Sequence, residues 1–555
     1  MACSKIFSGD LPELINEIIQ YFQNDTSTLH SCILVNRLWC RLAIPLLWED
    51  PFSIPITKNY HFIEIYLHSL NESDKTKLNE YGIDSNLLFP SSTLFNYPSF
   101  IKCLNTYKII YSIEKWVAIV RNLKTDVQPA IYNLLQNFKS SIKLIYKSLF
   151  KIFIENEVDL YTFEVILLAS KDHDYFNNVC GLILQNTNFI RNIKNLKLVI
   201  FGRNVTLSKI DTFLSLLSSN CKSISTLHFQ FNRNEEIFKN FSSHIIKTQQ
   251  NLKTISFDSP LFHHLLLPLK NYNCSNTLKT VIFYHIDFKN ILILKEVFEQ
   301  LNVLESVHIL YCISLNSVFI QQIINITKPF KLRSLFVSGG FQIESFQLLL
   351  QKSGDYLENI GFESFTSNEF KQKFLEQITK FCSKIKFFKL NGFDNRAIYP
   401  SFDLIKNIGQ NLNYLTINFE NYYYYFNHLN ENHIKLSSTI LQELGQILPF
   451  KLEYLNLTLI FNISDFELFL NNSQNTFIKK LLIKNKVKES EEILFYIKEY
   501  IMKNRRVKYL AFEDEKGRDL ACLRDEVMEF KLYDIKIQNY NSLYIQVCDF
   551  IKEMY

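Results

Sequence analysis

A short apolar pattern recurs twelve times between residues 193 and 512, and it constrains the fold more than any other feature of the chain. Each copy has an apolar residue, two variable residues, a second apolar residue, one variable residue and a third apolar residue. The copies begin at Ile193, Ile224, Leu252, Leu278, Leu304, Leu332, Leu357, Ile385, Leu412, Leu452, Ile478 and Val507. From Leu252 to Ile385, successive copies begin 25 to 28 residues apart. Self-similarity at this period is typical of repeat proteins, in which each unit packs on its neighbours.

Each copy predicts a strand, because the last three positions alternate between apolar and variable residues. The two apolar residues then point into the stack, and the residue between them points outward. Apolar residues at helical spacing lie between the strands, for example at residues 291–301, 370–381 and 436–448. One strand and one helix cannot bury their own apolar faces, so neighbouring units must stack. The pattern therefore predicts an α/β solenoid with parallel strands on its concave face.

The period and the apolar positions are similar to those of leucine-rich repeats, although Phe stands at many sites where that family favours Leu. The alternative is an ordinary α/β domain whose strands fall at similar intervals by chance. The array is predicted at residues 191–531, and residues 532–555 are predicted to be a capping end.

The N-terminal stretch 10–48 predicts three short helices. Asp10 can cap the first helix, with Glu13 at its third position and Pro12 in its first turn. Thr26 or Ser27 can cap the second helix, and the third carries several large apolar residues. Three small helices share too little core to make a confident domain alone. They are therefore either a helical cap on a larger protein or a docking unit.

The residues of this stretch resemble the F-box, the adaptor-docking motif of cullin-RING ubiquitin ligases. The match covers about forty residues and rests on Leu11-Pro12-x-Leu14, Ile18-Ile19, Val35-Asn36-Arg37-Leu38-Trp39 and Leu46-Leu47-Trp48. Asn36 departs from the Ser or Cys that the family favours, and Pro45 is expected to shorten the third helix. The resemblance implies an F-box at residues 1–55. It also implies that a Skp-family adaptor, and through it a cullin, is bound by Leu11, Pro12, Leu14, Ile18, Val35 and Trp39.

Residues 56–190 are predicted to be a mainly helical linker, with helices at 107–123 and 130–154 and a loop at 84–97. The net charge of +5 over 555 residues gives little reason to expect nucleic acid as a partner. Eleven cysteines without a CxxC pair favour reduced thiols, as in the cytoplasm or nucleus. No apolar run approaches eighteen residues and no signal peptide is recognised, so no membrane association is expected.

No catalytic motif stands out in the sequence. The chain lacks a P-loop, a dinucleotide-binding Gly-rich turn, a nucleophile elbow and a kinase signature. Gly339-Gly340 is better explained by a tight turn, and His263-His264 has no third metal ligand at a useful spacing. We therefore expect no cofactor, no metal and no enzymatic activity of the chain's own.

Two surfaces are candidates for binding a protein target. The first is the row of outward strand positions, where Ile282, His308 and Phe336 on consecutive repeats are expected to form an exposed patch. The second is the aromatic stretch at residues 421–429, which includes the four tyrosines 422–425. This stretch is either an exposed recognition loop or a strand extension with its rings buried.

Together these features predict the substrate-recognition subunit of a Skp-cullin-F-box ubiquitin ligase. The F-box would hold the adaptor, and the repeats would hold a protein target close to the ubiquitin-carrying enzyme. The alternative is a repeat-protein scaffold that docks a Skp-family adaptor without promoting degradation. The identity of the target and its modification state do not follow from the sequence.

Overall fold

The computed structural model describes residues 12–23, 25–53, 60–84, 92–121, 132–201, 207–231, 236–258, 263–339, 343–363, 366–419, 431–485, 490–502, 506–514, 516–522 and 524–555. The chain forms two compact units. Unit 1 contains residues Met1–Ile255 and Asn271–Thr277. Unit 2 contains residues Ser256–Lys270 and Leu278–Tyr555.

Fifteen strands form a parallel sheet in which the order of the strands follows their order in the chain. They are β1 Cys103–Asn105, β2 Thr162–Leu167, β3 Asn195–Ile200, β4 Thr226–Phe231, β5 Thr254–Asp258, β6 Thr280–Tyr284, β7 Ser306–Cys312, β8 Leu332–Val337, β9 Asn359–Phe362, β10 Phe387–Asn391, β11 Tyr414–Asn418, β12 Lys451–Leu459, β13 Phe477–Asn485, β14 Val507–Glu513 and β15 Lys536–Ile537. A strand lies at each of the twelve copies of the apolar pattern. The α/β repeat architecture predicted from the sequence is therefore confirmed.

Helices precede the sheet and connect its strands. They are α1 Pro12–Tyr21, α2 Thr26–Ile33, α3 Arg37–Leu47, α4 Phe62–Leu67, α5 Glu72–Glu80, α6 Thr106–Val120, α7 Tyr132–Glu155, α8 Ser170–Gln185, α9 Asn188–Arg191, α10 Leu207–Asn220, α11 Glu236–Thr248, α12 His263–Leu266, α13 Tyr272–Thr277, α14 Leu294–Gln300, α15 Ser317–Ile324, α16 Ile343–Ser353, α17 Asn368–Phe381, α18 Asn395–Ile408, α19 Glu431–Ile447, α20 Ile463–Asn472, α21 Ser490–Tyr496, α22 Arg524–Lys531, α23 Tyr540–Leu543 and α24 Val547–Met554. No helix in the described part of the chain is long and apolar enough to cross a membrane.

The core of each repeat lies between a strand and its helix. In β8, the inward residues Leu335 and Val337 are buried as the alternation predicts. Between consecutive helices, the rings of Phe346 and Phe374 stack with their centroids 3.9 Å apart. Ring stacking of this kind adds to the free energy of apolar burial, and it explains why Phe substitutes well for Leu in this array.

The sheet begins before the predicted array. β1 and β2 lie within the region predicted to be a helical linker. The full apolar pattern occurs at β2, with Leu160 just before the strand and Phe163 and Val165 within it, so the sequence holds a signal for this strand. β1 hides its pattern because Thr106 stands at the third apolar position. Its buried hydroxyl accepts a hydrogen bond from the backbone N–H of Ile166 at 2.8 Å.

The C-terminal residues cap the last repeat and also pack on strands of earlier repeats. After β15, the two helices α23 and α24 lie on the outward face of the sheet in unit 2. α23 contacts β13 and β14, and α24 contacts β7. The expectation of a simple capping end is therefore incomplete.

Candidate functional site

The first candidate surface lies on α1, α2 and α3, which pack around an apolar core of their own. The buried residues of this core are Ile15, Ile19, Leu29, Cys32, Ala43 and Leu47. Asp25 caps α2 by accepting a hydrogen bond from the backbone N–H of Thr28 at 3.0 Å, so the predicted caps Thr26 and Ser27 are wrong. Asn36 caps α3 by accepting from the N–H of Trp39 at 2.9 Å. The side-chain oxygen of Asn36 thus supplies the hydrogen-bond acceptor that a Ser hydroxyl can also supply at the N-cap of a helix.

Helix α1 and the turn between α2 and α3 also expose large apolar side chains. The exposed fractions are 46% for Leu14, 87% for Tyr21, 86% for Leu34 and 47% for Val35. Such a concentration of exposed apolar groups within a short stretch is typical of an interaction surface.

The remaining residues of the implied adaptor contact differ in what the structure shows of them. Ile18 and Trp39 are half-buried, and Trp39 packs against the core of the three helices. Leu11 lies outside the described residues, and Pro12 is described only as the first residue of α1. Pro45 is expected from the sequence to shorten the third helix. It lies inside α3, which continues for two more residues to Leu47, so Pro45 itself does not end the helix. Binding of an adaptor by all six residues remains a prediction.

The second candidate surface is the outward face of the sheet in unit 2, and its register differs from the prediction. Ile282 pairs with His308 as expected, but His308 then pairs with Ser334. Phe336 pairs with Leu310 instead, because Arg333 is an extra residue that shifts the pairing of β8. Ile282, His308 and Phe336 therefore do not lie in one row across the strands.

The C-terminal residues 540–555, which we call the strap, cover this face. Val547 and Ile551 of the strap share one buried apolar cluster with Ile282, Leu310, Tyr311, Phe336 and Phe387 of the sheet. Tyr540 and Leu543 share a second cluster with Tyr454, Leu482 and Ala511. The strap thus lies over outward residues from β6 to β14.

The predicted exposure of Ile282, His308 and Phe336 is wrong. Each of the three residues has an exposed fraction of 0%. The alternation along each strand correctly places these side chains on the face of the sheet that points away from the helices. The strap covers that face, so the side chains are buried. Their role in target binding remains a prediction. The aromatic residues 421–429 lie outside the described residues, so neither reading of that stretch is tested.

Tyrosine hydroxyls attach both ends of the strap to polar residues of the sheet. The Tyr555 hydroxyl donates to Oε2 of Glu358 at 2.7 Å and accepts from Nδ2 of Asn359 at 3.2 Å. The Tyr540 hydroxyl donates to Oδ1 of Asn456 at 2.8 Å. Between them, the N–H of Ile545 donates to the Tyr454 hydroxyl at 3.3 Å.

Glu358 is the charged centre of the Tyr555 end. It forms ion pairs with Arg333 and, at 2.9 Å, with Nζ of Lys386. Burial alone would raise the pKa of Glu358, but hydrogen bonds from Lys386 and Tyr555 and the charge of Arg333 lower it below the usual value. The carboxylate is therefore ionised at neutral pH and can accept the strap's hydroxyl in a strong, charge-assisted hydrogen bond.

His308 lies directly beneath the end of the strap. Its ring centroid is 4.5 Å from that of Tyr555, and its Nδ1 is 2.8 Å from Oγ of Ser334. Burial, together with the positive charge of Arg333, lowers the pKa of His308 to about 3. The imidazole is therefore neutral while the strap is in place.

We expect this histidine to make the protein less stable in mild acid. Between pH 6.5 and about 3, His308 takes up a proton in the unfolded chain but not in the folded one. The free energy of unfolding contributed by His308 is thus fully present above pH 6.5 and falls as the pH is lowered. From pH 7 to pH 5 the loss is about 2 kcal/mol. Urea unfolding at both pH values measures it.

The control for this prediction is His308→Gln, which cannot titrate. The difference in unfolding free energy between pH 7 and pH 5 should be about 2 kcal/mol smaller in the variant than in the unmodified chain. Equal pH dependence in the two proteins would contradict the neutral, buried state of His308.

A second row of outward residues was not among the candidates named from the sequence. The residue before the second apolar position of four repeats is aromatic: Phe387, Tyr414, Tyr454 and Tyr509. All four belong to, or pack against, the two apolar clusters that the strap shares with the sheet. Phe387 and Tyr414 hold the ring of Phe550 at centroid distances of 5.1 and 4.8 Å. Each of these residues lies two positions before the outward residue of its repeat, so the alternation of the strand places it on the same face.

The covered face combines apolar rings with hydrogen-bonding groups, and the described residues contain no group of three or more His, Cys, Asp or Glu that could share a metal ion. Ten cysteines lie in the described part of the chain, and none of these forms a disulfide bond there. No family model matches the chain, and no curated protein matches it either.

Proposed function

We propose that this chain is a receptor subunit that docks a Skp-family adaptor through α1, α2 and α3 and presents a protein target on its repeats for ubiquitination. The observation that carries the proposal is the exposure of Leu14 and Tyr21 on α1, and of Leu34 and Val35 in the turn between α2 and α3, within a stretch whose residues resemble an F-box. Water-exposed apolar side chains of this size are stabilised when a partner covers them.

Adaptor binding is tested by the double variant Leu14→Ala and Val35→Ala. Both side chains are about half exposed, so the helical core stays intact while the contact surface shrinks. Truncation of each anchor should weaken binding by about 2 kcal/mol, or roughly thirtyfold. Copurification of adaptor and cullin with the tagged chain should therefore be lost.

Leu168→Ala is the matched control, because Leu168 of unit 1 is also exposed, at 44%, but lies outside the three helices. It should bind the adaptor as well as the unmodified chain does. Normal adaptor binding by a folded double variant would overturn the proposal.

The alternative function is a scaffold that docks the adaptor without promoting degradation. The covered state of the sheet face favours this alternative, since no target can reach that face while the strap is in place. Ubiquitination of a copurified protein by the reconstituted complex separates the two functions, because a scaffold would bind the adaptor but leave its partners unmodified.

A further inference from the structure

We infer that the strap is a displaceable internal ligand, and that the sheet face beneath it binds a helical segment of a protein target with the same chemistry. The inference rests on the proposed function only in calling the bound protein a ubiquitination target. The binding face itself is defined by the contacts within unit 2.

The covered face is too apolar to be left open to water. Without the strap, Ile282, Leu310, Phe336 and Phe387 would contribute to one contiguous patch across β6 to β10. Exposed patches of this kind are found where a protein binds a partner. We therefore expect the strap to leave this face only when another apolar segment takes its place.

The strap has little structure that it can keep alone. α23 has four residues and α24 has eight, and isolated helices of this length are unstable in water. Its residues Ile545, Cys548, Phe550 and Tyr555 are only partly buried. The strap is thus held by its contacts with the sheet, and a competitor that makes the same contacts can replace it.

The strap also leaves part of the face unused. Nε2 of His308 is buried and has no hydrogen-bond partner in the described part of the chain. A buried nitrogen without a partner lowers stability relative to a bonded one. A target segment that brings a polar group of the matching kind to this nitrogen, a donor or an acceptor according to the tautomer of His308, would form a hydrogen bond that the strap does not form.

The contacts of the strap define the chemistry of the target segment. Val547 and Ile551 are four residues apart and Phe550 lies between them, so one face of α24 meets the sheet. Glu553 is exposed on the other side. Tyr555 carries the hydroxyl that reaches Glu358. We expect an amphipathic helical segment with aliphatic residues at i and i+4, an aromatic residue at i+3 and a hydroxyl donor one turn later, bound in the manner of a helix in a groove.

A tethered strap competes strongly with a free segment, because its effective concentration is on the order of millimolar. Weakening the strap without changing the face should therefore increase the affinity for a free segment. The probe is a fluorescent synthetic peptide with the sequence of residues 540–555, and binding to the full chain is measured by fluorescence anisotropy.

The variant Phe550→Ala with Ile551→Ala removes two strap side chains and leaves every sheet residue in place. It should bind the peptide at least about tenfold more tightly than the unmodified chain does. Glu553→Ala is the matched strap control and should behave like the unmodified chain. Adding the face substitution Phe387→Ala to the weakened strap should reduce peptide binding again by at least about tenfold.

Tyr555→Phe provides a milder second variant, which removes only the hydroxyl that bonds Glu358 and Asn359. It should show a smaller increase in peptide affinity of about threefold, and it decides the question if the double variant fails to fold. No gain of peptide binding by a folded weakened strap would overturn the inference. A weakened variant that dimerises in light scattering would also overturn it, by assigning the face to a second copy. Adaptor copurification is measured on the same proteins and should not change, so failure of the adaptor proposal would be seen separately.

Discussion

Phe336→Ala is expected to lower the free energy of unfolding of unit 2 by about 3 to 5 kcal/mol. The ring is fully buried and lies 5.7 Å from Tyr311 and 5.6 Å from Phe387, measured between ring centroids. It also packs against Gly361, where an added Cβ would come within 2.7 Å of the ring. Removal of the ring leaves a cavity between the sheet and the strap, and urea unfolding measures the loss.

Phe450→Ala is the control, since Phe450 is in the same unit but 78% exposed. Its unfolding free energy should change by no more than about 0.5 kcal/mol. If Phe336→Ala were equally neutral, Phe336 would lie on an open face, as the sequence alone predicts, and the seated strap would be wrong.

Arg506→Ala is expected to cost about 3 kcal/mol or more. The buried guanidinium donates to the backbone carbonyls of Leu470, at 3.1 Å, and Ser473, which lie at the end of α20. It also donates to the carbonyl of Thr476 at 3.5 Å. Without Arg506 these buried carbonyls lose their hydrogen-bond donors, and water does not replace them. The packing between the repeat of β13 and the repeat of β14 is therefore weakened.

The control for Arg506 is Arg396→Ala. Arg396 forms a 2.7 Å ion pair with Asp394, but its side chain is 60% exposed. Exposed ion pairs contribute little to stability because water and salt screen them, so this substitution should have little effect on urea unfolding. Comparable losses in the two variants would contradict the capping role of Arg506.

The strap connects the stability of unit 2 with the proposed binding of a target. It buries the residues that the sequence offers as a target surface, and it does so through short helices held by side-chain contacts. A receptor built in this way would be stable while empty and would bind only segments that can replace the strap. The peptide competition experiment tests whether another segment can replace the strap in this way.

The positions of the strands and of most helices could be predicted from the sequence because they depend on short-range periodicity. The twelve apolar patterns locate twelve strands, and helical spacing at residues 370–381 agrees with α17. The N-terminal helices were predicted for the same reason. A buried Thr in place of an apolar residue was enough to hide β1, since its role depends on a hydrogen bond to the next strand.

Only the tertiary structure decided what covers the outward face. Period two determines on which side of a strand Phe336 lies, but not whether another segment packs there. That depends on contacts such as the one between Tyr555 and Glu358, which are 197 residues apart in the chain. The pairing shift at Arg333 is likewise set by the two strands together. Local pattern therefore determined the repeats, whereas contacts between distant residues determined which part of their surface is available.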